Sequence, residues 1–211
     1  MDFITGLLTV FVVINPTQSY EEIYLEAYTE CVVSHQNEEE RKEREKVLTS
    51  LVELEKEFFR NNPEVPASLR GMLVASACAE SRFNPNANGD FQESRIIESS
   101  PIAQAKGVLQ LWPWWEREYG INRYDPIASS RAFLVHLLNQ YKKNKENNLC
   151  PTSLSKEQKW VAAWAQTANS TTPTATSRLR CGSSQYPIHY RLLQRWIRNI
   201  GETRIMKNEG C

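Results

Sequence analysis

Glu80 is the side chain best placed for acid–base chemistry. It ends the apolar stretch Ala67-Ser-Leu-Arg-Gly-Met-Leu-Val-Ala-Ser-Ala-Cys-Ala-Glu80, and the helix stop Ser81-Arg82-Phe83-Asn84-Pro85 follows at once. Leu69, Leu73, Ala77 and Glu80 recur at helical spacing, so they share one face. That face points into a core. A carboxyl at its C-terminal end is partly desolvated and lies near the negative pole of the helix, and both effects favour the protonated form. A protonated carboxyl at the edge of a core is what a general acid requires. Glycosidic cleavage needs such an acid on the leaving oxygen, and a hydrolase needs a second carboxylate as well. Asp90, Glu93 and Glu98 are the candidates for that second group, and no spacing singles one out. Asp125, directly before Pro126, reads as a helix N-cap.

The motifs around Glu80 carry a resemblance. Glu80-Ser81-Arg82-Phe83-Asn84-Pro85 resembles the first motif of the soluble lytic transglycosylase catalytic domain, which is related in fold to goose-type lysozyme. Gly107-Val108-Leu109-Gln110 is similar to that family's Gly-Leu-Met-Gln, and Asp125-Pro126 to its Asp-Pro before a helix. Val161-Ala162-Ala163-Trp164-Ala165 stands where the family has Leu-Ala-Ala-Tyr-Asn. The match covers residues 62–170, about half the chain. Three departures are an insertion over Asp90–Lys106, Trp164-Ala165 in place of Tyr-Asn, and Thr167 where the family motif ends in Gly. The resemblance implies a peptidoglycan lytic transglycosylase with Glu80 as the catalytic acid. Ser81 and Gln110 would then hydrogen-bond the substrate or the site backbone. Trp164 would wall the sugar or pack in the core, and Trp112, with Trp114 and Trp115, would line the groove or pack. A goose-type lysozyme-like hydrolase and a catalytically weak glycan-binding scaffold are the alternatives.

These residues need helices to position them. Tyr20 to about Ser34 is expected to be helical, followed by a second helix over Asn37–Arg60. The mixed run Glu38–Lys46 offers Glu38–Lys42 and Glu40–Arg44 pairs and reads as a solvated face. Val47, Leu48, Leu51, Leu54 and Phe58 then form a docking stripe. Asn88-Gly89-Asp90 is a tight-turn signal and the expected place of a small β-hairpin. Further helices are expected over Pro113–Tyr119, over Pro126 to about Asn144 with Ala132, Leu134, Val135, Leu137, Leu138 and Tyr141 buried, around Trp160–Trp164 behind a Ser155…Gln158 capping box, and over Tyr190–Ile200. Residues 170–184 read as a Ser/Thr-rich loop. The expected fold class is mainly α: a lysozyme-like helical domain over 62–211 with at most a small β-hairpin, preceded by a helical extension over 19–61 and an apolar segment or export signal over 1–18.

The chain has 25 basic and 25 acidic residues and no basic stripe interleaved with aromatics, which argues against nucleic acid as a partner. Peptidoglycan glycan strands are the partner expected, and the protein is expected to be a monomer. The apolar run over residues 3–14 is short for a membrane span and suits the h-region of an export signal, although Met1-Asp2 gives no positive n-region. No Ala-x-Ala cleavage site follows the run, and a periplasmic or extracellular location is expected chiefly because the peptidoglycan implied by the resemblance lies outside the cytoplasm. His35, His136 and His189 show no metal-ligand spacing, and no metal or cofactor is expected. The cysteines are 31, 78, 150, 181 and 211, with no Cys-x-x-Cys pair. Cys150 and Cys181 are the best disulfide candidates. Cys78 reads first as a buried thiol, with pairing to Cys31 as the alternative.

Overall fold

The computed structural model describes residues 18–35, 37–89, 105–169 and 188–209. The fold is mainly helical, with one two-stranded sheet among the described residues. In order, the elements are α1 (Tyr20–Cys31), α2 (Glu38–Asn61), a 3-10 turn (Ala67–Leu69), α3 (Met72–Ser81), β1 (Asn88–Gly89), β2 (Ala105–Lys106), α4 (Trp114–Tyr119), α5 (Pro126–Glu146), α6 (Lys156–Ala168) and α7 (Ile188–Glu209). None of the described helices is long and apolar enough to cross a membrane.

Helix starts follow local capping chemistry. The Ser155…Gln158 capping box opens α6, and an equivalent Ser19…Glu22 box opens α1. Asp125 caps α5, accepting from the N–H groups of Ile127 and Ala128. The stripe Val47, Leu48, Leu51, Leu54 and Phe58 is buried, and it joins Ile23 and Ala27 of α1 in the same core as α3. Helices α5 and α6 are joined by a stack of Tyr141 on Trp160 and by Asn144, whose amide donates to Gln166 at 2.7 Å.

Three local expectations differ from the structure. The small antiparallel sheet lies where the hairpin is expected, but Asn88 and Gly89 form its first strand, paired with Lys106 and Ala105, and not its tight turn. Val135 is 47 % exposed, on the outer side of α5, while Leu134 and Leu137 face inward. Arg44 leaves the solvated face of α2 and is almost fully buried.

The architecture centres on α3. Every residue from Met72 to Cys78 is buried, because α2 and α7 pack on it and α1 contacts it as well. A stretch buried on all sides cannot offer unpaired backbone groups to water, and the last turn, 79–81, is only partly open to it. Helix α2 supplies the partners at both ends. Glu55, with no exposed surface, accepts from Gly71 N–H at 3.0 Å and Leu73 N–H at 2.8 Å. Arg44 donates to the carbonyls of Ser81 at 3.1 Å and Arg82 at 2.7 Å. Arg44 and Glu55 are three turns apart on α2, about 16 Å, and α3 itself is about 15 Å long. The match in length makes α2 a clamp. At the start of α3, Gly71 takes φ +95°, and a Cβ there would lie 2.9 Å from Leu193 Cδ1.

Burial pushes Glu55 up to about 8, against the opposing pull of the N–H groups that it accepts from. The folded state therefore holds this proton more tightly than an unfolded chain, whose value is near 4.5. The stability that this contributes is fully present below about 4.5 and is lost as pH rises through about 8. Urea denaturation at pH 5 and pH 8.5 tests this. The wild type should lose more stability over that interval than Glu55→Gln. The variant should also start about 1–3 kcal/mol lower at pH 5, because its amide nitrogen faces a backbone N–H. Parallel pH dependence in the two proteins would contradict the assignment.

Candidate active site

Glu80 lies in the last turn of α3, one residue before the helix ends. Its side chain is 29 % exposed, so the carboxyl is anchored to the core yet reachable from outside. The chain then takes two consecutive left-handed conformations, Arg82 at φ 52° and Phe83 at φ 62°. Their N–H groups cap the helix by donating to the carbonyls of Cys78 and Ala77. Phe83 is fully buried, which helps to hold this turn in place. Positive φ at a non-glycine residue is uncommon, and among the described residues it occurs at Arg82, Phe83, Gln110 and Asn148. Three of the four thus lie in the two motifs singled out in the sequence. Such clustering is characteristic of functional sites.

Those two motifs meet. Ser81 Oγ donates to the carbonyl of Val108 at 2.9 Å, with the carbonyl of Ala77 as a longer alternative at 3.3 Å. Residues 107–110 form a tight turn closed by paired backbone bonds between Lys106 and Leu111. Gly107 N–H donates to the carbonyl of Ala87, which ties this turn to the segment after α3. Gly107 has φ +74°, and an added Cβ would lie 1.9 Å from the carbonyl oxygen of Arg123, so only glycine fits. The Gln110 amide donates to the carbonyl of Gly107 at 2.8 Å. Its Oε1 lies over Gly89, where a Cβ would approach to 2.4 Å. Arg123 is buried behind the turn, donating to the carbonyl of Leu111 and pairing with Glu116.

The tryptophans lie inward. Trp112, Trp114 and Trp115 are each at most 5 % exposed, and the last two stack around His136 and Tyr119. Burial holds the His136 ring low, at about 4, and its Nδ1 pairs with the Tyr119 hydroxyl at 2.7 Å. Trp164 is fully buried, and its indole N–H donates to Ser76 Oγ at 2.9 Å, fixing α6 to α3. Asp90, Glu93 and Glu98 lie outside the described residues.

The residue that the sequence did not reveal is His189. Its Nε2 lies 2.6 Å from Glu80 Oε1, and its side chain is 5 % exposed. It comes from α7, 109 residues downstream. Its ring is 6.4 Å from the Trp164 ring, at 27° between planes. The available signal was the register His189, Leu193, Trp196, Ile200, which places the histidine on the buried stripe of α7. Polar contacts hold that helix along α1: Arg204 with Glu22, Asn199 with Glu26, and Arg195 and Trp196 with Glu30.

Two residues before Glu80, Cys78 forms a disulfide with Cys31 of α1, so the buried-thiol reading does not hold. Cys150 is also disulfide-bonded, and its expected partner Cys181 lies outside the described residues. Compared with protein-family models, curated proteins and solved structures, the chain matches none.

The Cys31–Cys78 bond spans 47 positions. Chain-entropy reasoning gives about 4 kcal/mol for a loop of that size. A Cys31→Ser, Cys78→Ser double variant should therefore unfold in urea with about 3–4 kcal/mol less stability. A loss below about 1 kcal/mol would show that the clamp of α2 alone holds this end of α3.

Proposed function

We propose that this chain is an exported lytic transglycosylase that cleaves the β-1,4 bond between N-acetylmuramic acid and N-acetylglucosamine in peptidoglycan. The observation that carries the reading is the placement of Glu80: a part-exposed carboxyl at the end of a helix buried from Met72 to Cys78, braced where the two resembling motifs meet. The disulfides of Cys31–Cys78 and Cys150 support an oxidising compartment.

In this reading Glu80 delivers its proton to the leaving glycosidic oxygen. The substrate acetamido group assists departure from C1. The C6 hydroxyl of the same muramic acid then attacks C1, and its proton returns to Glu80, which restores the acid. No water is consumed, and the product ends in a 1,6-anhydro ring. The partner that the described residues give Glu80 is a histidine and not a carboxylate, and it lies too close to act on the far side of the sugar. The C6 hydroxyl, held beside C1 at high effective concentration, is then the nucleophile favoured.

Digestion of purified sacculi followed by mass spectrometry tests the proposal. The expected fragments lack one water relative to hydrolysis products. Hydrated, reducing ends would move the assignment to a lysozyme-like hydrolase, and binding without fragments would indicate a glycan-binding scaffold.

A further inference from the structure

We infer that His189 is the positioning residue for Glu80, donating its Nε2–H to Oε1 and leaving Oε2 to meet the substrate. The inference rests on the acid role proposed for Glu80. The tautomer follows from satisfaction of buried groups. His189 Nδ1 is buried with no hydrogen-bond partner among the described residues. A proton on Nδ1, in the other neutral tautomer or in the imidazolium, would bury an unpaired donor, which is costly. The neutral Nε2–H form leaves only an unpaired acceptor there, and orphaned acceptors are more common in folded proteins than orphaned N–H groups. Nε2 is then the donor across the 2.6 Å contact.

The surroundings hold the ring in place. His189 lies on the buried stripe of α7 with Leu193 and Trp196, and beside Trp164, which Ser76 of α3 holds by a hydrogen bond. A free glutamate side chain loses rotamer freedom when it is fixed. Here the loss is met in the folded protein, before substrate arrives. The separation also sets the role. A second catalytic group in a glycosidase lies about 5 Å or more from the acid, so a ring at 2.6 Å orients the acid and does not act as its counterpart. A purely structural position would not require a polar ring with one buried nitrogen unpaired among the described residues.

Two substitutions separate orientation from packing. His189→Phe keeps an aromatic ring of similar size and removes the donor. His189→Gln keeps an N–H donor near the Nε2 position. With sacculi as substrate, His189→Phe should lower kcat by about 10- to 100-fold. Its apparent KM should stay within about twofold and its melting transition should stay cooperative. His189→Gln should recover at least a third of the wild-type kcat. Equal impairment of both variants, or a folded His189→Phe with wild-type kcat, would overturn the inference. The 15N shifts of the wild-type imidazole give a readout that needs no turnover: Nε2 should be protonated and Nδ1 bare, and the reverse pattern would also overturn it. A wild-type protein that cleaves no glycan would overturn the functional reading and the positioning role with it, while the imidazole shifts would still test the bond.

Discussion

Helix α3 is buried from Met72 to Cys78, and the rest of the structure is arranged around the cost of that burial. Each buried terminal N–H or C=O left without a partner costs roughly 1–3 kcal/mol. Two donors and two acceptors are involved, so the sum approaches the whole stability of a typical domain, about 5–15 kcal/mol. Helix α2 meets the requirement from one face, with an acceptor, Glu55, at the start of α3 and a donor, Arg44, at its end. The two are three turns apart, so the length of α3 and the register of α2 determine each other. A helix clamped at both ends cannot slide or fray, and the carboxyl in its last turn inherits that fixed position.

Rigidity at this end has a chemical use. Arg82 and Phe83 hold left-handed conformations that a short loop would ordinarily assign to glycine, and they are kept there by the guanidinium of Arg44 and the burial of Phe83. Ser81 links the helix end to the 107–110 turn, while Gly107 allows that turn to sit against the backbone of Arg123. The Cys31–Cys78 bond and the Trp164–Ser76 hydrogen bond bind α1 and α6 to the same helix. Contacts from α1, α2, α6 and α7 thus converge on ten residues, and a preorganised proton donor needs this kind of support.

Much of the scaffold was legible from local pattern. The α2 stripe, the Ser155 capping box and the Asp125 cap are encoded by residues within a few positions of one another, and the structure has all three. Glu80 could be singled out because the end of an apolar helical run is visible in one segment. Contacts between distant segments were not legible. Arg44 looked like one more charge in a solvated run, because nothing near it in sequence indicates that it caps a helix 37 residues later. Glu55 is surrounded by Glu53, Lys56 and Glu57, and its burial depends on the N–H groups of another helix. His189 has no local motif at all. Asn88-Gly89 misled because its strand partners lie beyond the insertion, where turn chemistry carries no information.

The most direct measurement of the central claim is turnover of purified sacculi by Glu80→Gln. The amide keeps the shape of the side chain and can still accept from His189, but it cannot deliver a proton. General acid–base catalysis contributes roughly 10²–10⁴-fold, so release of soluble fragments should fall by at least two orders of magnitude, with the circular dichroism spectrum and the urea midpoint close to wild type. Digestion at near the wild-type rate by a folded Glu80→Gln protein would contradict the account.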